Sequence, residues 1–156
     1  MVITRARADI EVRGPDGNIA LLVEVKGLRG KDDGWLAEYR RNLAQTILVA
    51  PTAYFMIVMG DYMYLWKRGN SPDMDMPDFK VPTVPLLTTE VFKADKLQRY
   101  SGRSLAIIVA YWLGTLAIDD DMLRGEELPE PVRMFEARIY DRIKGGSVHR
   151  GEDPRW

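Results

Sequence analysis

The sequence predicts an α/β fold in which two β-hairpins form a mixed central sheet flanked by helices. Three observations predict it. Residues 6–13 and 19–26 are β-prone runs on either side of "GPDGN", a turn sequence. A second pair of runs, rich in aromatic and β-branched residues, surrounds Gly60 and Asp61. Elsewhere, apolar residues recur at helical spacing.

The middle of the chain contains one clear helix and one expected irregular stretch. Apolar residues at positions 36, 39, 43 and 47 predict a helix from Trp35 to Leu48, which Pro51 would end. Four prolines between positions 69 and 85 predict an irregular surface connection. Ser101 or Ser104 is expected to cap a buried helix that runs through Leu116.

The last helix is expected to begin at Pro131 and to end at Gly145. Its predicted buried stripe consists of Met134, Phe135, Ile139 and Ile143. The polar tail from Gly146 is expected to be frayed. We therefore expect a single domain over residues 1–156, with a core at 5–67, a C-terminal helical part at 86–145 and a polar tail at 146–156.

The composition excludes several kinds of disulfide and metal site, but it does not indicate a function. The 156 residues carry a net charge of −1, no cysteine and one histidine. A disulfide scaffold, a thiolate metal site and a multi-histidine site within one chain are therefore excluded, and carboxylates are left to bind hard cations such as Mg²⁺ or Mn²⁺. Because residues 1–8 lack an apolar signal region and no apolar stretch is long enough to span a bilayer, we expect a cytoplasmic protein without membrane contact.

The segment "NIALLVEVKGLRG" places two charged side chains in an otherwise apolar strand. Glu24 and Lys26 follow Ala20 and Leu22 on one face of the predicted strand. Charged residues ordinarily lie on a wet strand face. This position therefore indicates either a structural ion pair or a functional site.

The register of the first hairpin brings a second acid to the same place. If Gly14 pairs with Ile19, Asp9 lies opposite Glu24, and opposed residues share a face. In the same register Glu11 lies opposite Leu22 and Arg7 opposite Lys26. One face then carries Ala8, Ile10, Val12, Leu21, Val23 and Val25, and the other carries Asp9, Glu11, Glu24 and Lys26.

Two opposed carboxylates repel each other unless a cation lies between them. A divalent metal would resolve the repulsion, and Lys26 could then stabilise charge on a phosphate oxygen. Lys26 or Arg7 could instead neutralise Asp9 and Glu24 in a salt-bridged patch. The spacing alone leaves both interpretations open.

Asp9 followed by Glu24-Val25-Lys26 at the end of an apolar strand resembles the PD-(D/E)xK nuclease superfamily, which has the restriction-endonuclease-like fold. In that family an Asp begins one strand, the triplet ends the next, and a helix and a further strand follow. The resemblance covers residues 5–67, with Ala8 where proline is usual. The stretches "AYFMIVMGDYMYLWK" and "SLAIIVAYWLGTLA" look like those of small bacterial members.

The resemblance implies a set of site residues. Asp9 and Glu24 would bind Mg²⁺ or Mn²⁺ together with the Val25 carbonyl, and Lys26 would orient or deprotonate the attacking water. Three further residues are candidate helpers: Glu11, Arg41 and Gln45. For Glu11 the sequence favours a solvated edge position, and for Arg41 and Gln45 an exposed polar helix face is an equal alternative.

The family core usually begins with a helix and a strand before the Asp, whereas only eight residues precede Asp9 here. The resemblance therefore leaves open a fold that lacks the N-terminal helix and strand. The first hairpin would then lie at an exposed sheet edge, where a second copy could pair to form a homodimer.

These expectations lead to a Mg²⁺-dependent endonuclease that hydrolyses DNA. Basic residues would contact the DNA backbone: Lys26, Arg29, Lys31, Arg40 and Arg41. One alternative is a catalytically inactive nuclease-like module that binds nucleic acid or protein. Another is an interaction surface on the aromatic hairpin of residues 54–66, although its alternation favours core packing.

Overall fold

The structure is a computed structural model that describes residues 8–46, 53–67, 76–88, 93–97, 99–100, 102–118 and 128–151. The elements, in chain order, are β1 (Ile10–Arg13), β2 (Ile19–Val25), α1 (Asp33–Thr46), β3 (Tyr54–Val58), β4 (Tyr62–Trp66), β5 (Phe79–Pro82), α2 (Thr83–Leu87), α3 (Ala94–Leu97), α4 (Gly102–Ala117), α5 (Glu130–Ile143) and β6 (Ser147–Arg150).

All six strands belong to one sheet in the order β5-β4-β3-β2-β1-β6. β2 and β3 are parallel, and every other neighbouring pair is antiparallel. The predicted α/β class with a mixed sheet and two hairpins is thus confirmed. The finer assignment to a restriction-endonuclease-like fold stays a prediction.

β2 lies in the interior of the sheet and is covered on both faces. Leu21, Val23 and Val25 pack in one hydrophobic cluster, and Leu22 packs in the other. A strand that is buried on both faces reads as a continuous apolar run, which explains the sequence of residues 19–23. Glu24 shares the face of Leu22, because alternate side chains point to the same side.

Helices cover both faces of the sheet. α4 and α5 pack on one face, where Leu113 and Phe135 are buried, and α1 covers the other with Leu36. Ala8 packs in the α1 cluster, so its predicted place on the same face as Ile10 is wrong. Ala8 lies two residues before β1, and strand alternation does not hold there.

The predicted hairpin register is confirmed along β1 and changes at the turn. Glu11 pairs with Leu22, as expected, but Arg13 rather than Gly14 pairs with Ile19, with a register shift after Val12. The Asp16 carboxylate accepts the Asn18 N–H at 3.0 Å, an Asx interaction that tightens the loop. Arg7 lies outside the described residues, as does its predicted pairing with Lys26.

Part of the expected irregular connection is regular. Residues 79–82 form β5 on the edge of β4, and α2 begins at Thr83. Pro82 closes the strand and precedes the helix, and Pro85 lies in the first turn. Prolines are tolerated at edge-strand ends and in first helical turns, so treating them only as breakers was wrong. Residues 69–75 lie outside the described ranges.

The C-terminal segment is an edge strand rather than a frayed tail. β6 pairs with β1 from Ile10↔Arg150 to Arg13↔Ser147. The outer edge of β1 is therefore occupied within the chain, and the predicted exposed edge for a second copy is wrong. α5 brings this segment back across the sheet, and Gly145 (φ 76°) makes the turn into it.

Two details of the helices also differ from expectation. Ser104 lies inside α4, so it does not cap the helix, and Ser101 falls outside the described residues. Met134 is 56% exposed, unlike its predicted stripe partners Phe135, Ile139 and Ile143, which are buried. No helix in the described ranges is both long and apolar enough to cross a membrane.

Candidate functional site

Asp9 and Glu24 meet where β1 begins and β2 ends. The Val25 N–H donates to Asp9 Oδ2 at 2.8 Å, and the Asp9 N–H donates to Glu24 Oε1 at 3.2 Å. Each carboxyl group is therefore held by the backbone of the other strand. The two acids that the sequence predicted to be opposed are in contact.

Burial makes this contact electrostatically unusual. Glu24 is only 7% exposed, whereas Asp9 is half-buried. Burial first and then the charge of Asp9 together raise the pKa of Glu24 to about 8, while Lys26 acts in the opposite direction. Near neutral pH Glu24 therefore retains its proton unless a cation compensates its charge.

The Val25 carbonyl lies on the same side of β2 as Asp9. The N–H and C=O of one strand residue point to the same side, and the Val25 N–H points to Asp9. On the opposite side, the Lys26 N–H donates to the Val58 carbonyl at 2.8 Å, which holds the end of β2 against β3. The Val25 carbonyl thus adds a third oxygen to the two carboxyl groups.

Lys26 follows Glu24 on the same face and carries an exposed side chain. Its Nζ lies 5.8 Å from the centre of the Tyr39 ring, so an aromatic residue of α1 contacts the lysine side chain. Asp9, Glu24 and Lys26 therefore occupy one corner of the sheet, which α1 covers.

Tyr39 is a site residue that the sequence reasoning missed. Its hydroxyl is buried without a hydrogen-bond partner among the described residues. Burial raises the pKa of Tyr39, and the nearby charges of Glu24 and Asp9 raise it further. Its position at helical spacing with Leu36 and Leu43 predicts only a helix. The available signal was its polar hydroxyl on the helix that follows the Glu24-Val25-Lys26 triplet.

Glu11 forms its own ion pair with Arg13, at 2.7 Å between Oε1 and Nη2. To assist the metal site through a water molecule, as predicted, Glu11 would have to act while its carboxylate is paired with Arg13. Arg41 and Gln45 are exposed on α1, two and six residues beyond Tyr39, and a helix turns about 100° per residue, so neither shares the Tyr39 face. Their role as helpers stays a prediction.

Two of the basic residues expected to contact the DNA backbone are engaged in the fold. Arg40 is 2% exposed, and its guanidinium lies 4.7 Å from the centre of the Phe55 ring. Arg29 donates to the carbonyls of Gly60 at 3.0 Å and Leu97 at 3.4 Å. The buried Arg40 side chain is therefore not available to the DNA backbone, whereas Arg29 is exposed and its contact with DNA stays a prediction.

The donor set fits a hard divalent cation. Two carboxyl groups and one carbonyl provide oxygen atoms only, and Mg²⁺ is commonly held by one or two carboxylates while it keeps several waters. Within the described ranges, no group of three or more His, Cys, Asp or Glu side chains could hold a metal. A cation at this corner would therefore depend on Asp9, Glu24 and the Val25 carbonyl.

Comparisons with models of known protein families, with curated proteins and with solved structures find no match to this chain.

Proposed function

We propose that this chain is a Mg²⁺- or Mn²⁺-dependent phosphodiesterase of the PD-(D/E)xK type that hydrolyses DNA. The observation that carries the proposal is the contact between Asp9 and Glu24 at adjoining strand ends, beside Lys26. A buried acid beside a second acid disfavours the charged state of the pair, and a divalent cation would reverse that preference.

The roles of the chain's own residues follow from their positions. Asp9, Glu24 and the Val25 carbonyl would hold the cation, which when bound polarises a phosphate and lowers the pKa of water. Glu24 must give up its proton for this, because a ligating carboxyl group binds as the carboxylate. Lys26 Nζ would hydrogen-bond the attacking water or a phosphate oxygen, with Tyr39 beneath it.

Plasmid and oligonucleotide cleavage assays with Mg²⁺, with Mn²⁺ and with chelator test the proposal. The matched variants are Asp9→Asn and Glu11→Gln, which each neutralise one acid near the start of β1. We expect cleavage by the parent and by Glu11→Gln only when metal is present, and none by Asp9→Asn. Equal cleavage by Asp9→Asn, or cleavage that survives the chelator, would overturn the proposal.

The second candidate is a nuclease-like module without catalysis. The observation that favours it is that one oxygen of each acid already accepts a backbone N–H, while burial and the charge of Asp9 raise the pKa of Glu24 to about 8. A proton held between Asp9 and Glu24 could stabilise the hairpin without any metal. Calorimetric titration with Mn²⁺ discriminates the two candidates, because a module of this kind would show no binding that Asp9→Asn removes.

A further inference from the structure

Two neighbouring aromatic rings of α1 lie between two lysine side chains, beginning at the candidate site. Lys26 Nζ lies 5.8 Å from the Tyr39 ring centre, and the Tyr39 and Trp35 ring centres are 5.1 Å apart with a 33° angle between their planes. Lys31 Nζ lies 5.4 Å from the Trp35 ring centre. We call these four residues the α1 ladder.

We propose that the α1 ladder binds a single-stranded DNA segment, with a base stacked on Trp35 and an adjoining phosphate on Lys31. The inference rests on the proposed function, because the strand would run from Trp35 past Tyr39 to Lys26 and the acids. It adds the class of substrate, which is single-stranded DNA or a duplex with a single-stranded end.

Trp35 is held rigidly enough to act as a stacking platform. It lies in the first turn of α1, where its backbone N–H donates to Asp32 Oδ1 at 2.8 Å, so a capping residue fixes the backbone there. Its ring packs against the hydrophobic cluster beneath α1 and against the Tyr39 ring. The spacing of four residues places its ring on the same helix face as Tyr39. A ring that is already oriented loses little conformational entropy when a base stacks on it.

The loop that carries Lys31 is anchored as well. The Gly30 N–H donates to Asp61 Oδ2 at 2.8 Å, and the Gly60 N–H donates to the Leu28 carbonyl at 3.0 Å. The exposed Lys31 side chain therefore projects from a fixed backbone beside Trp35. It can move from the ring to a phosphate while the loop keeps its conformation.

The chemistry of the ladder favours single strands. Aromatic rings stack on the faces of bases, and those faces are accessible only when the bases are unpaired and unstacked. Asp32 and Asp33 directly follow Lys31, so the local charge is not strongly positive. Stacking must therefore supply much of the affinity, and no preference for base sequence is expected from it.

The test is fluorescence anisotropy with a labelled oligothymidylate in chelator, so that cleavage cannot interfere. Trp35→Leu keeps apolar bulk against the core but removes the flat ring, and Trp35→Phe keeps a ring. Tyr62→Leu is the matched control, because Tyr62 is a 38% exposed aromatic residue on β4, outside the α1 ladder, with Lys80 Nζ 4.3 Å from its ring centre.

We expect the parent to bind the single strand more tightly than a blunt duplex of the same length. Trp35→Leu should weaken binding about tenfold or more, the range of base–aromatic stacking. Trp35→Phe and Tyr62→Leu should bind nearly as the parent does. Lys31→Ala should lower the slope of log affinity against log salt by about 0.7, one single-strand phosphate contact, whereas Trp35→Leu should leave that slope unchanged.

Parental binding by Trp35→Leu, or equal loss in Trp35→Phe, would overturn the inference, as would a duplex that competes as well as the single strand. The outcome is separable from that of the proposed function. Trp35-dependent binding without any metal-dependent cleavage would overturn only the nuclease. Metal-dependent cleavage of blunt duplex that is unaffected by Trp35→Leu would overturn only the single-strand inference.

Discussion

Asp9 and Glu24 each bind the backbone of the strand that carries the other. Asp9 Oδ2 accepts the N–H of Val25, and Glu24 Oε1 accepts the N–H of Asp9. The two acids therefore close the open end of the β1–β2 hairpin while they disfavour each other's charge. Stability and chemistry at this corner are coupled, and the variants below separate them.

Asp9→Asn should be at least as stable as the parent without metal. The asparagine carbonyl can still accept the Val25 N–H, while the repulsion between Asp9 and Glu24 is removed. The same change should reduce the stabilisation by Mn²⁺, which in the parent reaches about 2.7 kcal/mol at a hundredfold excess over the dissociation constant. Melting curves of both proteins at neutral pH, with Mn²⁺ and with chelator, measure this pattern.

A clear loss of stability in metal-free Asp9→Asn, together with no Mn²⁺ shift in either protein, would show that the acids form a structural network. The catalytically inactive module would then replace the nuclease as the preferred function. Glu11→Gln is the control variant. It also removes one negative charge near the start of β1, but from a carboxylate that pairs with Arg13 instead of contacting Glu24.

The stability of the metal-free protein should fall with pH on account of Glu24. Its pKa rises from an ordinary value of 4.5 in the unfolded chain to about 8 in the folded protein. Between these values the folded state binds more protons than the unfolded state, so its stability decreases as pH rises. The contribution is fully present below pH 4.5 and is lost as the pH approaches 8.

Glu24→Gln should remove this pH dependence. Denaturant unfolding of parent and variant at intervals between pH 5 and 8, in chelator, gives the difference in unfolding free energy. That difference should shift steadily in favour of Glu24→Gln as the pH rises. Parallel curves would show that Glu24 does not hold its proton in the folded state.

Lys26→Ala should abolish cleavage while leaving Mn²⁺ binding nearly intact. Lys26 is not a metal ligand in the proposed mechanism, and its main-chain N–H still bonds to Val58 after the substitution. Lys80→Ala is the control, since Lys80 is an exposed lysine that also lies over an aromatic ring. An active Lys26→Ala enzyme would mean that another group handles the water.

The sequence predicted the site through strand periodicity. Alternation along β1 and β2 fixes which side chains share a face, and the turn sequence limits the register, so Asp9 and Glu24 could be paired without coordinates. The alternation still holds for Asp9, one residue before β1, but it does not hold for Ala8, two residues before it. The sequence reasoning also passed over Tyr39, because an aromatic residue at helical spacing is consistent with core packing.

Edge strands were less predictable than central ones. β5 and β6 are each four residues long and lie at the two ends of the strand order, and β6 pairs with a strand from the other end of the chain. A four-residue edge strand is too short to show a clear alternation of apolar and polar residues. Prolines and polar residues within it weaken that pattern further. Arg40 is a similar case, because only the tertiary packing of α1 on the sheet decides that it is buried and Arg41 exposed.

Arg40→Ala should destabilise the protein by about 2 kcal/mol or more, the scale of a desolvated cation–π contact plus lost packing. The Arg40 guanidinium lies 4.7 Å from the Phe55 ring centre and 5.5 Å from that of Trp66. Arg41→Ala, on the exposed side, should change stability by no more than about 0.5 kcal/mol. Urea unfolding of both variants makes the comparison, and equal effects would contradict the burial of Arg40.

Gly146→Ala should destabilise the protein, because the turn from α5 into β6 has no room for a side chain. A Cβ at Gly146 would overlap the Arg13 carbonyl oxygen and would lie 2.9 Å from that of Ile143. Both neighbours are backbone atoms, so the segment itself must shift. We expect a loss of about 1–3 kcal/mol, the range for overpacking.

Gly114→Ala is the matched control for the effect of an added methyl group. Gly114 lies inside α4, and a Cβ there meets no atom within 4 Å. Alanine reduces the entropy of the unfolded chain and favours the helix, so this variant should gain about 0.4–1 kcal/mol in stability.

Hydrogen exchange shows where Gly146→Ala acts. We expect the β1 amides that face β6 to lose protection, while the amides between β2 and β3 keep the protection that they have in the parent. This pattern would show that β6 has detached. Parental protection at that edge would contradict the prediction, because the turn would then accommodate the methyl group without detaching β6.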